Sequence, residues 1–114
     1  MSKQITVFLF FLLILVACAS ESAEPAPTPT KAWYEGGTLH SSTVAEWLDS
    51  DDDNHLATAG DWVTVTVKPD TIAETKRISE HLVDCVDESA EVAPQSMKVN
   101  ELGVSCLILM GYLD

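Results

Sequence analysis

The chain has 114 residues, with six lysines and arginines against 18 aspartates and glutamates, a formal charge of −12. A field of that sign repels phosphate backbones and anionic headgroups, which argues against nucleic acid and against an electrostatic membrane-binding face. It points to a basic protein as the partner, with plain solubility of an acidic surface as the competing explanation.

At the N-terminus, Lys3 and the free amino group form a short positive segment, and Ile5 to Val16 follow as an apolar run interrupted by Thr6. The run is shorter than the about 20 residues that crossing a bilayer requires. It closes on Leu15-Val16-Ala17-Cys18, which resembles the lipobox of bacterial lipoproteins in placing an aliphatic residue three positions before a cysteine and a small residue directly before it. The resemblance implies that residues 1–17 are a signal peptide that is removed and that Cys18 is acylated. It further implies an anchor in a membrane of the cell envelope, with each buried methylene contributing about 0.8 kcal/mol. Ala19 after the cysteine resembles the outer-membrane sorting pattern, so a host with two membranes would hold the protein there, facing periplasm or surface. An ordinary signal peptide cut after Ala17 or Ala19, or an uncleaved anchor, is the competing reading. Loss of Lys3 leaves five basic and 18 acidic side chains, a formal charge of −13.

Residues 18–32 hold Pro25, Pro27 and Pro29 in alternation and almost nothing to bury. They read as a disordered tether, with about 20 Å of reach as a coil and about 40 Å extended. Residues 33–114 then form a single small domain, which buries about 60% of its unfolded surface and gains much from a staple.

The spacing of apolar residues predicts an all-α fold, a small bundle of about four helices ending in an antiparallel hairpin. Thr43-Val-Ala-Glu46 has the form of a capping box ahead of a short helix with Trp47 and Leu48. Ser50 to Asp53 mark a second start, where acidic residues favour the positive helix end. Leu56, Ala59, Val63 and Val67 follow helical spacing, whereas Val63-Thr-Val-Thr-Val67 alternates like a strand. A strand would need a partner, which only Thr38 to His40 offers, so a helix is expected from roughly Asp52 to Thr66.

Thr71-Ile-Ala-Glu74 repeats the capping-box form, and Ile78, Leu82, Cys85 and Val86 share one face of a helix expected over 72–88. Val99, Leu102, Cys106, Leu109 and Leu113 make a stripe on a last helix, expected over 96–111. Val104, Leu107, Ile108 and Met110 make that helix apolar on most sides, which suits the buried centre of a bundle, with an exposed docking surface as the alternative. Gly103 would let a neighbour approach closely, and Gly111 suits a C-terminal cap. Cys85 and Cys106 are an even pair in an oxidising compartment, and a bridge between them would contribute about 3 kcal/mol. Their unequal distances from the Pro94 loop leave two free core cysteines as the alternative.

No cofactor and no metal are expected. Asp49-Ser-Asp-Asp-Asp-Asn54 begins like a calcium loop but lacks glycine at its sixth position and glutamate at its twelfth. His81 and Cys85 have the one-turn spacing of zinc ligands, yet no second pair accompanies them. His40 and His55 stand among serines and carboxylates, without a nucleophile elbow or phosphate loop to frame catalysis, so an enzyme is not expected. The stretch from Trp33 through Trp47 to Trp62 is similar to segments of uncharacterised small bacterial proteins. In outline, a short acidic helical domain with two cysteines outside the cytoplasm is similar to acid-stress periplasmic chaperones and to small immunity proteins. Two functions follow as expectations. One is a lipid-anchored module that binds another protein through Trp33, Trp47 and Trp62, aromatic residues being enriched at interface hot spots. The other is a small-ligand-binding or hydrolytic envelope lipoprotein using His40 or His55.

Overall fold

The computed structural model describes residues Lys31–Asp114, and the signal segment, Cys18 and the proline tether through Thr30 lie outside the described residues. Four helices follow in chain order, α1 (Val44–Leu48), α2 (Asp52–Thr66), α3 (Ile72–Ala90) and α4 (Val99–Leu109). No strand occurs among the described residues, so the all-α expectation is met.

Local chemistry sets each helix start. Thr43 and Glu46 form the full reciprocal box ahead of α1: the Glu46 backbone N–H donates to the Thr43 hydroxyl and the Thr43 backbone N–H donates to the Glu46 carboxylate. That backbone donor and the Thr43 side chain hold the Glu46 carboxyl below its ordinary range. Asp51 caps α2 by accepting from the Asn54 N–H at 2.7 Å. The box expected at Thr71 is only half made. Thr71 accepts from the Glu74 N–H, but the Glu74 carboxylate turns instead to the Arg77 guanidinium at 2.6 Å, because an opposite charge one turn on is the stronger partner.

The ambiguous 63–67 stretch is helical through Thr66. Val63 is buried and Val65 is exposed, the opposite of what alternation would give them on one sheet face. Thr64 and Thr66 donate their hydroxyls to the carbonyls of Gly60 and Trp62, four residues back, which satisfies their polar atoms within the helix.

Helix α3 carries the core face as read, with Ile78, Leu82 and Val86 buried. Helix α4 runs antiparallel to it: Cys85 bonds Cys106, and Arg77 near the start of α3 reaches the Tyr112 hydroxyl beyond the end of α4. The last helix is shorter than expected at both ends. Residues 94–97 make a turn closed by the Met97 N–H on the Pro94 carbonyl, Lys98 bridges Thr43, and the carbonyls of Met97 and Gln95 accept the N–H groups of Val44 and Ala45. Those donors are orphans at the start of α1, so the turn and bridge ahead of Val99 are spent capping a helix rather than lengthening one. At the other end, the Tyr112 N–H bonds the Leu107 carbonyl and the Gly111 N–H bonds that of Ile108, with Gly111 at φ 87°. This is the Schellman pattern, and glycine adopts its left-handed residue without steric cost.

The boundaries also make the bridge fit. Over 72–88 and 96–111 the two cysteines would sit three and ten residues from the loop, an offset of about 10 Å along the axes. With α3 ending at Ala90 and α4 starting at Val99 the counts are five and seven, an offset of about 3 Å, and the α-carbons stand 5.9 Å apart.

Two expectations about α4 are corrected. It is not the buried centre of the bundle: it packs chiefly on α3, and Val104 and Ile108 point away from the core, each nearly half exposed. Leu109 is not in the buried stripe; it is 81% exposed, and Leu107 lies in the core instead. A helix apolar on every face offers no contrast for periodicity to find, and the core took the row Val99, Gly103, Cys106 and Leu107. Leu107→Ala should therefore cost about 2 to 5 kcal/mol, while Leu109→Ala should stay within about 0.5 kcal/mol. Chemical denaturation of the two variants checks this, and equal losses would contradict the register.

Candidate functional site

The aromatic residues singled out in the sequence gather around α2, and glycines seat two of them. A β-carbon on Gly60 would fall 2.8 Å from the Trp33 ring, and one on Gly103 would fall 3.0 Å from the Trp62 ring. Each tryptophan ring thus packs close against a helical glycine whose replacement by any larger residue would push it away.

Trp47 is fully buried and forms the middle of a ring stack, 4.1 Å from His55 at an interplanar angle of 2° and 5.9 Å from Trp62 at 10°. His55 and Trp62 are seven residues apart on α2, a rise of about 10.5 Å, which is the space a single inserted indole fills. The indole N–H of Trp47 donates to Asp87 on α3 at 2.8 Å, so the stack ties α1, α2 and α3 together. With no exposed face, Trp47 has no surface to offer a partner, which corrects its expected place as a contact residue. Trp33 and Trp62 are partly accessible. Trp33 and Tyr34 meet edge to face at 5.5 Å and wall a groove with Asp61, Asp70 and Ile72.

The two histidines of the catalytic alternative have opposite surroundings. His40 is part-exposed, its Nε2 lies 2.7 Å from an Asp61 carboxylate oxygen, and its ring meets Trp62 edge-on. That is how a carboxylate orients a histidine, but among the described residues no hydroxyl or thiol is hydrogen-bonded to the other ring nitrogen. His55 is a core residue whose side chain is 7% exposed. Its Nε2 lies 2.6 Å from the Trp47 carbonyl oxygen, which can only accept, so Nε2 carries the hydrogen. Nδ1 has no hydrogen-bond partner and lies 3.6 Å from an Asp87 oxygen and 3.9 Å from an Asp52 oxygen.

Those two aspartates belong to a second groove, between the start of α2 and the later half of α3. Asp52, Glu80, Asp84 and Asp87 rim it, and Leu56 and Val83 form its floor. Sequence reasoning centred on tryptophans passed over this feature. Its signal was present in the spacing of Glu80, Asp84 and Glu88, which places like charges on one helix face.

Among the described residues no three histidine, cysteine, aspartate or glutamate side chains converge as metal ligands. Cys85 is committed to the disulfide and His81 is exposed, so the one-turn pair on α3 is not a ligand pair. The opening of the calcium-like run is spent on capping α2 through Asp51. Compared with protein-family models, curated proteins and solved structures, the chain matches none.

Proposed function

We propose that this protein is a lipid-anchored module of the bacterial cell envelope that binds another protein, acting outside the cytoplasm without chemistry of its own. The observation that carries the reading is the lipobox-like Leu15-Val16-Ala17-Cys18 followed by a proline tether and a domain stapled by Cys85–Cys106. The disulfide suits the oxidising side of a membrane, where the acyl chains on Cys18 would hold the chain. The described domain carries five basic and sixteen acidic side chains. Three of the basic groups are already spoken for: Lys76 lies beside Glu80, Arg77 bonds Glu74 and Lys98 donates to the Ser41 carbonyl. The net field therefore favours a basic partner and speeds its approach at low salt. A tether raises the local concentration of the domain near its membrane, so a modest intrinsic affinity suffices there.

In the native host, Cys18→Ala should abolish palmitate labelling and release the protein from the membrane fraction, while wild type is labelled and retained. The wild-type chain should also recover a protein at stoichiometric amounts from solubilised envelopes. Equal labelling of the two proteins would remove the anchor. Reproducible turnover abolished by His40→Ala or His55→Ala would replace the binding reading with the hydrolytic one.

A further inference from the structure

The acidic groove between α2 and α3 is a cost that the fold itself does not recover. The aspartates at the start of α2 are accounted for, since they cap and charge the positive end of that helix. On α3 the carboxylates run from the middle to the wrong end: Glu80 stands just before the midpoint, Asp84, Asp87 and Glu88 occupy the later half, Glu91 follows as its cap, and the last turn contains no basic residue. They also oppose one another. Glu80 with Asp84 and Asp84 with Glu88 are like charges four apart, and Asp84 with Asp87 are three apart, spacings that weaken a helix. Lys76 touches this stripe only at its edge, 4.0 Å from Glu80.

The interior side of the groove wall adds to the imbalance. Behind Asp52 and Asp87 lies the buried His55 Nδ1, which has no hydrogen-bond partner and stands 3.9 and 3.6 Å from their carboxylate oxygens. The Trp47 indole is the one internal donor that reaches Asp87 there among the described residues. Meanwhile Leu56 and Val83 give the floor of this space, about 330 Å³ in volume, an apolar strip between the carboxylates.

We infer that this groove is the docking site for a basic amphipathic segment of the partner protein, its lysines or arginines set against Glu80, Asp84, Asp87 and Asp52 and an aliphatic side chain laid on Leu56 and Val83. The inference rests on the protein-binding reading above and names the chemistry of the partner. Charge complementarity selects the occupant: the rim is a line of carboxylates along one helix with Lys76 only at its edge, which a helix or strand carrying spaced cations would neutralise while its apolar face covers the floor.

The test uses the full chain and a fluorescent 18-residue peptide built from lysine and leucine at helical spacing, titrated at two salt concentrations. Glu80→Gln with Asp84→Asn should weaken binding about tenfold and flatten its salt dependence. Glu35→Gln with Glu101→Gln removes the same charge from exposed positions outside the groove and should change affinity less than about twofold. The groove variant should also melt at the same or a higher temperature than wild type, since its helix loses like-charge pairs. Equal weakening by both double variants, competition by spermine or calcium at concentrations that leave the salt dependence intact, or a lower melting temperature for the groove variant would each overturn the inference. Evenly spread weakening rejects the groove and leaves the protein-binding reading standing, whereas failure to recover any protein from envelopes rejects that reading itself.

Discussion

Trp47→Ala should unfold a large part of the population at physiological temperature. Truncating a buried tryptophan costs about 3 to 5 kcal/mol in well-packed cores, and this ring is fully buried at the meeting point of three helices. The loss goes beyond volume. Asp87 loses its indole donor, and His55 loses the face it stacks on at 4.1 Å. Domains of this size command only the lower part of the usual 5 to 15 kcal/mol, so a loss of that order removes much of the total. Trp47→Phe separates the components: it keeps an aromatic slab between His55 and Trp62 while deleting the N–H, and should cost about 1 to 2 kcal/mol. Thermal melts followed by circular dichroism read both variants. A Trp47→Ala protein within about 1 kcal/mol of wild type would mean that the indole is not the keystone the geometry makes it, and would return Trp47 to the surface as a contact residue.

The parts of the fold legible in the sequence are those governed by local chemistry. The N-caps at Thr43, Asp51 and Thr71 signal themselves within four residues, and the Ile78, Leu82, Val86 row of α3 stands out because most of the residues around it are polar. Helix α4 lacks that contrast, so spacing alone places Leu109 on the buried face that Leu107 occupies. Its start lies later than the spacing suggests because Gln95, Met97 and Lys98 bond residues 43–45, far away in the chain, through backbone groups that carry no side-chain signature. The candidate sites divide in the same way. Residue identity marks His55 and Trp47 as candidates, but their burial and the Trp47 bond to Asp87, forty residues away, arise only from the tertiary packing. The acidic stripe on α3 was open to reading from spacing alone, since like charges at one-turn intervals on a helix work against its own stability.

Removing the Cys85–Cys106 bridge should lower the melting temperature by about 10 to 25 °C, the range that about 3 kcal/mol produces in a domain this small. The bond closes a separation of 21 residues, spanning the whole turn between α3 and α4, and its largest effect in the chain-entropy model is on the unfolded ensemble, which gains freedom once the closure is released. In the folded state the change is smaller. Cys106 is buried and Cys85 half-buried against the same core, where Leu107, Val86 and the backbone bridge at Thr43 and Lys98 continue to hold α4 in register. Reductant added to wild type should therefore leave the helical spectrum at room temperature nearly unchanged while moving the thermal midpoint, and Cys85→Ala with Cys106→Ala should show the same pair of effects without reductant. The compartment enters through the same numbers: chain made in a reducing cytoplasm should melt at the lower temperature, and chain recovered from the envelope at the higher one. Peptide mapping without reductant should recover residues 85 and 106 in one linked fragment. Free alkylation of both thiols in envelope-derived protein, together with a midpoint insensitive to reductant, would remove the staple and with it one of the supports for an extracytoplasmic address.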